Sequence, residues 1–179
     1  MRNIVAVGGE PGTGKTTLMR LFMEGYDWKP VEEEKLVSAM YCEELDLYVL
    51  GKYEENEVFA GTDRLSMAVQ PNAVKFVKET KSNIIFEGDR IFNQSFLEFL
   101  VEQPDTEVDI IYLQACDASL KERYAQRGSN QSETFLRGRR TKYQNLLTNF
   151  ILMGHTSVFL NENAEDQNVV LTFLNKRLK

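Results

Sequence analysis

The chain has 179 residues, 42% of them hydrophobic, and a net charge of −6. This suits a single domain over 1–179, excludes a disordered or fibrous chain, and leaves room for a core without metal or disulfide support. The two cysteines, Cys42 and Cys116, stand far apart and His155 is the sole histidine, so neither a disulfide framework nor structural zinc is expected. The longest apolar runs, Ile4–Val7, Ile84–Phe86 and Ile110–Leu113, fall far short of the ~20 residues that cross a bilayer. No membrane partner, and a reducing, cytoplasmic setting, are the expectation. The acidic average conceals a segregation. Residues 24–57 carry 11 acids against 3 bases, whereas 117–149 carry 7 bases against 3 acids, and an anion is drawn to the second region.

In chain order, Ile4–Val7 ends at Gly8-Gly9 and reads as a strand buried on both faces. A helix follows from Thr16 to Met23, with Gly25 as its stop. Leu36–Tyr41 and Leu45–Leu50 are β-prone and predict an inserted β-hairpin across Cys42-Glu43-Glu44. Gly51–Gly61 is polar and predicts a loop. Pro71 opens a helix carrying Val74, Phe76 and Val77, and Asn83–Glu87 is a second buried strand. Phe96 to Leu100 mark a helix, and Val108–Leu113 a third buried strand. Asp117 caps a helix that stops at Arg127-Gly128, and Ser132 caps another towards Phe150. Thr156–Leu160 and a helix from Ala164 complete the pattern. Strands alternating with helices predict a parallel α/β sandwich with its site at the carboxyl ends of the strands.

Gly9-Glu10-Pro11-Gly12-Thr13-Gly14-Lys15-Thr16 matches G-x-x-x-x-G-K-[ST] at every fixed position, and it lies between a strand and a helix, as that motif requires. Its glycines let backbone N–H groups turn inward around a phosphate, Lys15 reaches the β- and γ-phosphates, and Thr16 ligates Mg²⁺. Gly9, Gly12, Thr13, Gly14, Lys15, Thr16 and Thr17 form the expected nucleotide-binding set. Here the sequence resembles the P-loop NTPases, which implies nucleoside triphosphate binding. The chain is short and has no N-K-x-D motif, so it resembles the nucleoside and nucleotide kinases among them. That resemblance implies a three-layer α/β sandwich with a central, mainly parallel sheet and an arginine-rich lid at about 124–142, besides a hairpin and acceptor insertion at about 30–65.

Arg123-Tyr124-Ala125-Gln126-Arg127 has the R-x-x-x-R spacing that precedes such a lid, and residues four apart share a helix face. By resemblance, one of Arg123 and Arg127 stacks on the nucleotide base and the other contacts phosphate. Arg137, Arg139 and Arg140 follow. Two carboxylate sites compete for acid/base work. Glu87 ends an apolar strand, where a Mg²⁺-binding acid stands beside a P-loop, with Asp89 and Arg90 just after it. Gly61-Thr62-Asp63-Arg64 resembles the acceptor site of nucleoside and polynucleotide kinases, in which an Asp takes the acceptor hydroxyl's proton and an Arg holds nearby phosphate. Asp63, Arg64, Asp89, Arg90 and Arg137 are the candidate acceptor residues, and Lys15, Asp63, Arg64, Glu87 and Arg127 the candidate catalytic ones. Thr16 and Glu87 are the candidate metal ligands. Which of Asp63, Glu87 or Asp89 is the base stays open. His155 reads as structural, and Phe92, Phe96 and Phe99 as core. One of Tyr41, Tyr48 and Tyr53 could stack on an acceptor base.

The segments 61–67 and 86–90, with the lid arginines, are most similar to bacteriophage-type P-loop kinases, including those acting on 5-hydroxymethyluracil in DNA. The resemblance implies an ATP- and Mg²⁺-dependent kinase whose acceptor is a nucleoside, a nucleotide or modified DNA, in a host cytoplasm if phage-encoded, with no stable protein partner. A nucleoside monophosphate kinase, with Arg64 and Arg90 on the acceptor phosphate, and a slowly hydrolysing nucleotide switch are the alternatives. A duplex acceptor would run near Lys75, Lys78, Lys81 and the arginines, away from the acidic hairpin.

Overall fold

Every strand that the sequence predicts as buried carries two cores at once. In the computed structural model, which describes residues 1–57 and 59–179, the strands are β1 (Arg2–Gly9), β2 (Lys29–Glu34), β3 (Val37–Cys42), β4 (Leu47–Leu50), β5 (Asn83–Glu87), β6 (Thr106–Gln114) and β7 (Thr156–Leu160). They form one sheet in the order β2-β3-β4-β5-β1-β6-β7. The pairs β4–β5, β5–β1, β1–β6 and β6–β7 are parallel, whereas β2–β3 and β3–β4 are antiparallel. Successive side chains point to opposite faces. Ile4, Ala6, Ile84, Phe86, Ile110 and Tyr112 therefore enter one core while Val5, Val7, Ile85, Ile111 and Leu113 enter the other.

Six helices cover the two faces: α1 (Lys15–Met23), α2 (Gln70–Glu79), α3 (Gln94–Val101), α4 (Asp117–Arg127), α5 (Glu133–Leu147) and α6 (Ala164–Leu178). Leu18 and Phe22 of α1 and Val170 and Leu174 of α6 fill one core. Phe76 of α2, Phe96 and Leu97 of α3, and Tyr143 and Leu146 of α5 fill the other. The result is the three-layer α/β sandwich with a mainly parallel central sheet. None of the helices among the described residues is long and apolar enough to cross a membrane.

The hairpin region differs in detail from the sequence expectation. β3 and β4 pair antiparallel as predicted, but β4 also pairs parallel with β5 and so belongs to the central sheet. Leu36, the first residue of the predicted strand, takes φ 68° in the β2–β3 turn. The strand β2 itself has no apolar alternation, since Lys29, Pro30, Glu32 and Glu33 are exposed and only Val31 leans on the core. Proline and charges are tolerated there because β2 is an edge. Residues 51–57 and 59–61 are irregular, with a Lys52–Gly61 bridge between their ends; residue 58, within that expected loop, lies outside the described residues. Cys116, not Asp117, caps α4 by accepting the Ser119 N–H, while Ser132 caps α5 as expected. Both cysteines are free.

The strand order reverses at β1: the chain places β4 and β5 on one side of it and β6 and β7 on the other. In such sheets the crevice at the carboxyl end of the central strand is the binding place. The segment Gly9–Thr16 leaves β1 at that end.

Candidate active site

Gly14 is the N-cap of α1, at φ 89° and with no side-chain cap, so the first-turn N–H groups of α1 are left for an anion. A Cβ at Gly14 would stand 2.5 Å from Nδ2 of Asn161, which forbids any side chain there. Asn161 is buried just past β7 and donates to the Thr13 carbonyl at 2.7 Å. Arg123 donates to the Gly12 carbonyl at 2.8 Å, and the Tyr124 hydroxyl to the Pro11 carbonyl at 2.6 Å. The loop is thus braced from behind by three side chains. Losing a buried hydrogen bond of this kind costs about 1–3 kcal/mol. Asn161→Ala is expected to lower the unfolding free energy by that amount and to weaken ATP binding. Asn161→Asp, whose carboxylate cannot donate to the Thr13 carbonyl and adds an anion beside the loop, is expected to weaken it further, which paired thermal melts and calorimetric titrations would check.

On the front of the loop, Lys15 Nζ donates to the carbonyls of Gly9 (2.6 Å) and Glu10 (3.2 Å). Thr16 donates its hydroxyl to Glu87 Oε1 at 2.9 Å, and Thr17 is exposed on the same turn. Glu87 is 1% exposed at the end of β5. Burial, with the Asp63 and Asp89 charges acting the same way, pushes its carboxyl up to about 7 against the opposing pull of Lys15 and Thr16.

Asp63 lies in a 3₁₀ turn, Thr62–Arg64, clamped to the end of β5. The Thr62 hydroxyl donates to the Glu87 carbonyl at 2.8 Å, and Asp63 Oδ1 accepts the N–H groups of Asp89 (2.8 Å) and Arg90 (3.1 Å). Gly61 enters this turn at φ 71°, where a Cβ would meet Glu87 Oε1 at 2.6 Å. Burial, then the Asp89 charge, raises the Asp63 carboxyl above its ordinary value. Asp89 goes the other way. Burial alone would raise it, but Lys142, Lys15, the Tyr143 hydroxyl and Arg139 together hold it low. Lys142 Nζ at 3.2 Å, the Tyr143 hydroxyl at 2.5 Å and Arg139 Nε at 3.5 Å occupy its oxygens. The structure therefore brings Asp63, Glu87 and Asp89 together beside Lys15; among the described residues Asp63 accepts only at Oδ1 and Glu87 only at Oε1, whereas Asp89 meets three side-chain donors.

The arginines are distributed differently from the sequence expectation. Arg123 and Arg127 do not converge: Arg123 is spent on the backbone carbonyls of Gly12, Asn161 and Glu162, whereas Arg127 is exposed. Arg64 pairs with Glu54 and Glu57, and Arg90 donates to the Asp63 carbonyl at 3.0 Å. Arg137 is exposed on α5. Lys75 pairs with Glu34 at 2.7 Å on the acidic edge, so α2 does not offer a free basic track. Tyr41 and Tyr48 stack on each other with centroids 4.5 Å apart and donate to Asp46 and Glu33, which removes both as base platforms. Tyr53 instead buries its hydroxyl beside Glu87 with no well-formed hydrogen bond among the described residues. His155 sits against the Val108 carbonyl at 3.2 Å, and Phe92 and Phe96 are core.

Sequence reasoning missed Asn161, Tyr124, Lys142, Tyr143 and Glu10. For Lys142 and Tyr143 a signal existed, since they extend the basic run after Arg137 on one helix. For Asn161 there was none, because its partner is 148 residues away.

A parallel α/β sandwich whose switch point carries Gly9–Thr16, facing a carboxylate at the end of the neighbouring strand, is the framework of a P-loop kinase, an ATP-dependent phosphotransferase. A family model described as P-loop Nucleotide Kinase3 matches residues 1–165, and the chain belongs to that family. Among solved structures it is similar to a gluconokinase from Sinorhizobium meliloti 1021, at 14% identity and TM-score 0.48 over 99% of this chain and 97% of that one. It is equally similar to an uncharacterized protein from Eubacterium ventriosum ATCC 27560, at 14% identity and TM-score 0.48 over 99% and 100%. No curated protein matches the chain.

Proposed function

We propose that the protein transfers the γ-phosphate of ATP, with Mg²⁺, to a hydroxyl of a nucleoside or nucleic acid. The observation that carries this reading is the composition of the acceptor side. Three carboxyls, Asp63, Glu87 and Asp89, face it, and the cations there already hold partners, Arg64 on Glu54 and Glu57, Arg90 on the Asp63 carbonyl, and Lys142 and Arg139 on Asp89. An acceptor phosphate would be repelled by the carboxyls and would have to strip the arginines from their partners. A hydroxyl needs a base more than a cation, because its proton must leave as the oxygen attacks. This places the monophosphate-kinase alternative second.

The residues fit a divalent cation. The Thr16 hydroxyl and the Glu87 carboxyl, 2.9 Å apart beside the loop, form a hard-oxygen pair whose buried anion lacks a full counter-charge. They would hold Mg²⁺, which supplies charge neutralisation at the transferring phosphoryl group. Lys15 exchanges the Gly9 and Glu10 carbonyls for the β- and γ-phosphates. Asp63 takes the proton at the oxygen not bound to the Asp89 and Arg90 amides, Oδ2. Arg123 keeps the loop in shape, and the resemblance to nucleotide kinases suggests that its planar group borders the base and that Arg127, exposed in this structure, turns in to contact phosphate.

The acceptor we favour is 5-hydroxymethyluracil in bacteriophage DNA, on the likeness of residues 61–67 and 86–90 to kinases of that kind. Its base would leave the stack to reach Asp63, and its backbone would run along the exposed Lys121, Arg127 and Arg137 of α4 and α5. An ADP-release screen over nucleosides, nucleotides and duplexes with and without 5-hydroxymethyluracil, with product mass measured, tests this. Modified duplex is expected to raise ADP release and gain one phosphate. Stimulation by nucleoside monophosphates alone would replace this reading with the alternative, and ADP release indifferent to every acceptor would favour a switch.

A further inference from the structure

Glu10 occupies one of the variable positions of the loop, where nothing in the phosphate-binding chemistry calls for an acid. Its carboxylate takes a two-pronged contact from Arg140 of α5, with Nε to Oε1 at 3.0 Å and Nη2 to Oε2 at 3.2 Å. The same Nη2 reaches Asp117 Oδ1 at 2.6 Å. The Glu10 side chain is 14% exposed, against 46% for Arg140 and 69% for Asp117, so the inner contact is the stronger of the two. The carbonyl of Glu10 meanwhile accepts from Lys15 Nζ and from the Thr13 hydroxyl. A single residue of the loop thus engages two cations, Arg140 by its carboxylate and Lys15 by its carbonyl. Beside the pair lies a cavity of about 350 Å³, lined also by Tyr112, Gln114 and Gln144, which gives the Arg140 side chain room to turn.

We propose that Glu10 is a stand-in anion: its carboxylate stores Arg140 at the edge of the phosphate site until triphosphate oxygens replace it. Glu10 and Arg140 then set triphosphate affinity as a coupled pair. This rests on the reading that a triphosphate occupies Gly9–Thr16. Arg140 exchanges one bidentate anion for another on binding, so the pair subtracts from ATP affinity the contact that must first be broken. Glu10 is a positioning residue acting through Arg140, and it makes no contact with the reacting atoms.

The test is a double-mutant cycle read by calorimetric titration of ATP, with Mg²⁺ and without acceptor, on the full chain. Glu10→Gln is expected to tighten ATP binding about 5- to 50-fold, within the usual reach of coupling between contacts. Arg140→Gln is expected to weaken it, and Glu10→Gln in the Arg140→Gln background is expected to change nothing. Simple relief of negative charge near the phosphates would tighten binding equally in both backgrounds, and that result would overturn the proposal. So would an unchanged or weaker affinity of Glu10→Gln. Should that variant fail to fold, Asp117→Asn loosens the store from outside the loop and should tighten binding about 2- to 5-fold, again only while Arg140 is present. A parent chain that binds no ATP defeats the nucleotide reading itself, which separates the two failures.

Discussion

Lys15→Ala is expected to lower phosphoryl transfer by about 10²–10³ while the fold stays intact, the scale on which one preorganised donor to a developing charge acts. In the structure Lys15 holds only the Gly9 and Glu10 carbonyls, at the solvent-facing side of the loop. No core contact is lost with it. Its charge also steadies the buried Glu87 and Asp89 carboxyls, so thermal unfolding should move down modestly while the large loss lies in turnover. A folded variant with near-parental turnover would remove the P-loop from the chemistry and with it the kinase reading.

Asp63→Asn should drop kcat by about 10²–10⁴, the usual reach of general-base catalysis, with ATP affinity retained. The amide can keep one oxygen on the Asp89 and Arg90 N–H groups, so the turn should hold. The parent should also lose rate on acidification. Burial and the Asp89 charge raise the Asp63 carboxyl, so protonation sets in at a higher pH than for an exposed aspartate, and the acid limb of the kcat profile should move up accordingly. In the residual activity of Asp63→Asn the contribution of Asp63 to that limb should be lost, leaving the protonation of Glu87, whose carboxyl is pushed up to about 7. An active Asp63→Asn beside a dead Glu87→Gln would move the base to the end of β5. Activity of both variants on a phosphate acceptor would leave positioning by Lys15 and the arginines to suffice.

What was legible in the sequence follows from distance along the chain. Gly9–Thr16 is contiguous, and β1, β5 and β6 are unbroken apolar runs because both faces are buried, so motif, strands and switch point could be read in order. The edge strand β2 was hidden because its stability comes from pairing with β3, not from its own side chains. The Asp63 clamp was hidden for another reason: its partners Asp89 and Arg90 are 26 and 27 residues downstream, and spacing carries no periodicity at that range. The R-x-x-x-R helix shows the limit of the spacing argument. A shared face placed Arg123 and Arg127 correctly on α4, yet the backbone carbonyls of Gly12, Asn161 and Glu162 claim only the first.

The fastening of the Thr62–Arg64 turn to β5 has a consequence for how this enzyme could change its substrate. The Thr62 hydroxyl is committed to the Glu87 carbonyl and Asp63 Oδ1 to the Asp89 and Arg90 N–H groups, so any change at Thr62 or Asp63 that breaks these bonds would disturb the proposed acceptor and cation sites together. Ser66, Met67 and Ala68 follow at once and are exposed. Variation confined to those three positions could reshape what approaches Asp63 while the frame stays fixed. New acceptor preferences would then arise there, a few residues past the fastening, at no cost to the phosphoryl-transfer machinery.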